Sequence, residues 1–184
     1  MVLLLISYML IEGTFDPLLI LFFSLLHELG HVLAIRRLGG KLNSMTGQGQ
    51  GFGLTVEGLS YQGELLAAAA GPLMSLVLAV FFAIFALWRE SKDLWFCAFS
   101  NAALAGMNLL PIMPLDGGRI LRSVLALHCT PDRGRMIGTA AALCCLLPLL
   151  AVAFWQFLSS GYNVSLLFVC IYLIGLIKEN EYDV

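Results

Sequence analysis

Apolar runs near residues 2–11, 17–38, 64–88, 94–111, 136–158 and 164–177 fill most of this 184-residue chain, divided by short stretches of glycine, proline and charge. Such a pattern leaves too little polar surface to clothe a water-soluble core. Hydrophobic residues make up 60% of the chain, charged residues 12%, and the mean hydropathy is +0.91. Soluble domains run nearer about 45–50% apolar and about 25% charged. Crossing the hydrocarbon takes roughly 20 apolar residues, so the sequence predicts an all-α polytopic membrane protein with about six transmembrane helices. One membrane-embedded domain is expected over residues 1–184.

The formal net charge is only -2, with no basic run, so nucleic-acid binding has no electrostatic support. Cys97, Cys129, Cys144, Cys145 and Cys170 form an odd set without CxxC spacing and read as small buried hydrophobes. The opening MVLLLISYMLI lacks a basic start and a small-residue cleavage site, so it reads as a short or truncated first span rather than a removable signal. Counting alternate crossings from the Arg36-Arg37 pair puts Arg36, Arg37, Lys41, Arg119, Arg122, Arg133, Arg135 and Lys178 on one face. Arg89 and Lys92 fall on the other. Because positive loops stay inside, both termini are expected in the cytoplasm.

The stretch LLHELGHVLA, Leu25 to Ala34, places three ionisable residues inside an apolar run, where each is costly and signals function. His27 and His31 are four apart, so on a helix they project from one face a turn apart and can share a metal ion. Glu28 lies about 100° round from His27, able to meet a metal-activated water without itself being a ligand. This is the His-Glu-x-x-His arrangement of zinc hydrolases. Two histidines do not complete such a site, which takes three protein ligands and an open position. Glu57, Glu64, His128 and Asp116 are the candidates for the third. Asp116 is the strongest: in NLLPIMPLDGG, Asn108 to Gly118, Pro111 and Pro114 interrupt regular helix, while Gly117 and Gly118 allow close backbone approach. A plain helix-capping role is the alternative for that Asp.

Between Gly40 and Gly63 runs a polar, glycine-dense segment with strand preference at Leu54-Thr55-Val56 and Leu59-Ser60-Tyr61. It predicts a small β-hairpin or re-entrant loop. At membrane depth such backbone must be shielded by protein or line a water-filled cavity.

HELGH on one span, followed on a later one by N-x-x-P-x-x-P-L-D-G, resembles the site-2 protease family of intramembrane zinc metalloproteases. AAGPLMSLVLA, Ala69 to Ala79, is similar to that family's GPxxx helix, with Ser75 where Asn is common. The resemblance covers roughly residues 17 to 125, leaving 136–177 as accessory helices. It implies one zinc held by His27, His31 and Asp116, with Glu28 as general base and acid. It also implies a strand-like segment between the first two core helices, and a transmembrane or membrane-associated protein as substrate. Neither the PDZ insert nor the cystathionine-synthase-like domain of many members is evident, so the chain reads as a minimal core. Any regulation then falls to a separate membrane protein or to the substrate's own shape. The family's distribution points to a bacterial cell membrane.

Peptide hydrolysis also needs charge stabilisation and an unwound substrate. Asn108 is a candidate donor to the scissile carbonyl or oxyanion, a helix–helix hydrogen bond being the alternative. The segment Gly47 to Gly58 offers a strand edge for extended substrate, with Gly51, Phe52, Gly53, Leu54 and Thr55 as its binding residues. Water is expected to reach the metal from the cytoplasmic side. Phe81, Phe82, Phe85, Trp88 and Trp95 suit an interfacial aromatic belt. Two rival readings use the same ligands: a metal or ion transporter, and an inactive relative that binds transmembrane helices. Transport leaves Glu28 without a distinct role, and retention of every proposed catalytic residue argues against inactivity.

Overall fold

A computed structural model describes residues 16–42, 56–160 and, beyond these, 167, 170, 171 and 173–175. The apolar run bearing HELGH forms α1, Asp16–Arg37. Gly39 then takes a left-handed conformation, φ 77°, and the Gly40 N–H returns to the Ile35 carbonyl at 3.0 Å, ending the helix. A two-residue antiparallel ladder follows, β1 (Lys41–Leu42) pairing with β2 (Val56–Glu57). The residues between them, including Gly51, Phe52, Gly53, Leu54 and Thr55, lie outside the described residues. So does the expected first span at 2–11.

The next element, α2, is Tyr61–Arg89. Strand preference at Leu59-Ser60-Tyr61 loses here to capping: the Ser60 hydroxyl accepts the Gly63 N–H at 3.2 Å, which satisfies one orphan donor and starts a helix. Glu90, at φ 49°, ends it and turns the chain into α3, Lys92–Asn108. The helix α2 is the hub, packing against α1, α3 and the short helix α4, Asp116–His128. It does so through small residues: Ala67, Ala68, Gly71, Ser75, Ala79 and Ala86 are all buried. Where lipid removes the hydrophobic drive between helices, such residues let backbones approach closely. Leu73, Val77, Val80, Ile84 and Leu87 of the same helix are exposed, as lipid-facing side chains must be.

The helix α4 was not among the predicted elements, because the proline- and glycine-rich stretch reads as irregular through Gly118. Both prolines in fact precede the helix, and Asp116 is its first residue. A Cβ on Gly117 would meet the Leu109 carbonyl oxygen at 2.2 Å, and one on Gly118 the Ile112 carbonyl carbon at 2.6 Å. The first turn of α4 is thus seated on the backbone of the loop before it. That loop inserts Ile112, wholly buried, into a cluster with Ala142, Leu146 and Leu173. Ala142 and Leu146 belong to α5, Pro131–Ser160, which opens on proline at a position where no N–H is needed.

Three helices among the described residues are long and apolar enough to cross a membrane: Leu18–Arg37, Tyr61–Arg89 and Pro131–Ser159. The run at 94–111 instead forms the 17-residue α3, which stops at Asn108 as the loop begins.

Candidate metal centre

On α1, His27 and His31 stand on one face, 3% and 4% exposed, with Glu28 beside them on the exposed side. The N-terminus of α4 brings Asp116 to them. His27 Nε2 lies 3.0 Å and His31 Nε2 3.1 Å from the same carboxylate oxygen, Asp116 Oδ2, and the two nitrogens are 3.3 Å apart. Ligand atoms about 2.0–2.2 Å from a tetrahedral zinc stand roughly 3.3 Å from one another. The three donor atoms therefore already have the spacing of one face of a zinc tetrahedron, and the donor set fits that metal.

The outer nitrogens are anchored by α2. His31 Nδ1 donates to the Ala67 carbonyl at 2.8 Å; a carbonyl can only accept, so a proton sits on Nδ1 and Nε2 is the ring nitrogen left to serve as ligand atom when a metal is held. His27 Nδ1 is 2.9 Å from the Ser75 hydroxyl, whose residue is wholly buried. The other carboxylate oxygen, Asp116 Oδ1, has the Arg119 guanidinium at 3.8 Å, one turn along α4.

Gly71 is the residue that sequence reading passes over most easily. A Cβ there would sit 2.1 Å from His31 Nε2 and 2.8 Å from His27 Nε2, so the missing side chain is the room the metal-binding atoms use. The next residue, Pro72, has no N–H to give the Ala68 carbonyl, so one hydrogen bond of the helix ladder is missing beside the site. Gly30 plays a related part: a Cβ would lie 2.9 Å from the Ala70 carbonyl oxygen, so α1 meets α2 backbone to backbone.

Of the other sequence candidates, Glu64 lies in the first turn of α2 and His128 in the last turn of α4. Neither joins the cluster; among the described residues the one metal-competent group is His27, His31 and Asp116. Asn108 ends α3, where its Nδ2 donates to the Leu104 carbonyl of its own helix at 3.0 Å. Since Gly117 packs directly on Leu109, Gly117→Ala is expected to destabilise the protein by about 1–3 kcal/mol through overpacking. Thermal unfolding in detergent, followed by circular dichroism, measures this.

The fold and cluster define a class: a polytopic membrane protein with a buried His-His-Asp centre shared by two helices and steadied by a third. The M50B-like peptidase model matches residues 1–111, and that of peptidase family M50 matches residues 88–149. The chain belongs to this peptidase family, the site-2 proteases. Among solved structures, a site-2 protease from Methanocaldococcus jannaschii has the same fold, with TM-score 0.68 and 24% identity, over 100% of this chain and 86% of that one. A zinc metalloprotease of the same organism is 32% identical over 106 residues, 55% of this chain and 31% of the relative. Rip3 of Mycobacterium tuberculosis is 30% identical over 171 residues, 85% of this chain and 43% of that protein. The chain thus spans less than half the length of these curated relatives.

Proposed function

We propose that this protein is an intramembrane zinc metalloendopeptidase that hydrolyses peptide bonds of transmembrane or membrane-associated proteins. The observation that carries the reading is the convergence of His27 Nε2, His31 Nε2 and Asp116 Oδ2, with Glu28 next to the first of them in sequence. Zinc held there supplies Lewis acidity, which polarises a carbonyl and brings the pKa of a water toward about 7. Glu28 takes the water's proton and returns it to the leaving amine, a role that its exposed position beside buried ligands suits. Asn108, whose Nδ2 donates to the Leu104 carbonyl, has a second amide hydrogen and is the candidate donor to the oxyanion.

Substrate must unwind before a carbonyl reaches the metal. The glycine-dense stretch Gly47 to Gly58, with Gly51, Phe52, Gly53, Leu54 and Thr55, is the candidate in sequence to hold it extended by strand addition. On this reading the chain makes about six crossings in all, and the basic loops keep both termini in the cytoplasm of a bacterial cell.

The test is zinc content of the detergent-purified full chain beside His27→Ala and Asp116→Ala, with cleavage of a panel of single-span substrates. About one zinc per chain is expected, reduced to background in both variants, with cutting abolished. Full zinc in Asp116→Ala would remove the third ligand from the proposal, and zinc transport without cutting would replace the reading altogether.

A further inference from the structure

The two histidines are anchored by chemically different partners. His31 Nδ1 meets a backbone carbonyl, Ala67, at 2.8 Å, an acceptor that no substitution removes and that admits one tautomer. His27 Nδ1 meets a side chain, the Ser75 hydroxyl, at 2.9 Å. A hydroxyl both donates and accepts, so it holds the ring in place and accepts the Nδ1–H hydrogen bond when Nε2 is turned to a metal. Ser75 is wholly buried on the face of α2 that also carries Gly71, one turn earlier, where the imidazoles crowd the backbone. No other hydrogen bond to His27 Nδ1 exists among the described residues.

We infer that Ser75 is a positioning residue that fixes the ring orientation of His27, making this histidine the adjustable arm of the centre and His31 the fixed one. The inference rests on the zinc reading above and deepens it. Outer partners of metal-bound histidines are typically worth 10–100-fold in metal affinity. Here that dependence falls on one removable oxygen atom. Ser75→Ala deletes that atom with almost no change in volume, and Ser75→Thr restores it.

The experiment measures zinc affinity of the full-length protein in detergent by competition with a chromophoric chelator, for wild type, Ser75→Ala and Ser75→Thr. Cobalt-substituted visible spectra and nitrogen-15 histidine spectra of the same samples report ring geometry and tautomer. Ser75→Ala is expected to bind zinc about 10–100-fold more weakly, to alter the cobalt bands, and to change the His27 nitrogen signals while those of His31 stay put. Ser75→Thr is expected to recover most of the affinity. A purely packing role would lower thermal stability and leave the cobalt bands and the His27 nitrogen signals unchanged, and that result overturns the inference. So does wild-type affinity in Ser75→Ala. Absence of zinc binding in wild type would instead overturn the underlying zinc reading, so the two failures are distinguishable.

Discussion

Gly71→Ala is expected to abolish zinc binding and proteolysis while leaving the helices intact. By helix propensity alone the change is favourable, since Ala in a helix interior is better than Gly by about 0.8–1.0 kcal/mol. The site reverses that expectation. The new methyl carbon would stand 2.1 Å from His31 Nε2 and 2.8 Å from His27 Nε2, inside the van der Waals contact distance to both nitrogens. Neither ring can retreat without breaking its anchor, Ala67 for His31 and Ser75 for His27. Zinc affinity is expected to fall by more than about 100-fold, beyond the loss of a single outer partner. Zinc stoichiometry after chelator challenge, read beside the far-ultraviolet circular dichroism, checks this. Normal zinc retention in Gly71→Ala would show that α1 and α2 stand further apart at this level than 2.1 Å allows.

Glu28→Gln is the second large effect, with the opposite signature. The substitution keeps size and hydrogen bonding but removes the base, and positioned acid–base groups contribute about 10²–10⁴-fold to rate. Cleavage of a single-span substrate is expected to fall by at least that factor. Zinc content should stay at the wild-type level, because the Glu28 side chain is exposed and stands outside the metal-competent group. Parallel zinc and turnover measurements separate the two roles. Loss of zinc along with activity would make Glu28 a ligand or a structural support instead of the proton carrier.

The local part of the centre was legible because helical periodicity is a property of short sequence. The four-residue spacing of His27 and His31 brings both rings to one face whatever surrounds them, and three ionisable groups within an apolar run demand a purpose. The spans Leu18–Arg37 and Tyr61–Arg89 followed from apolar length in the same way. Asp116 stood out from its proline and glycine neighbours, but the choice among it, Glu57, Glu64 and His128 was a matter of which element reaches α1. That was decided by packing: Gly117 and Gly118 seat α4 on its own preceding loop and deliver the carboxylate to both histidines.

Other features were beyond sequence for the same reason. The helix α4 hid behind two prolines that lie before it, and Ser60 began α2 where strand preference pointed elsewhere. Ser75 and Gly71 sat within a motif whose likeness was visible, yet their tasks depend on contacts with residues about 40 or more positions away. A hydroxyl within hydrogen-bond reach of a ring nitrogen, and a hydrogen atom standing where a methyl would collide with two imidazoles, arise only when helices meet. Sequence by itself determined that the chain enters a membrane and carries two histidines and a glutamate on one helix. It also ranked Asp116 first among the partners for them; tertiary structure alone showed that carboxylate meeting both rings, the outer partners and the space between them, because these are distances between separate helices, and periodicity within one helix carries no information about them.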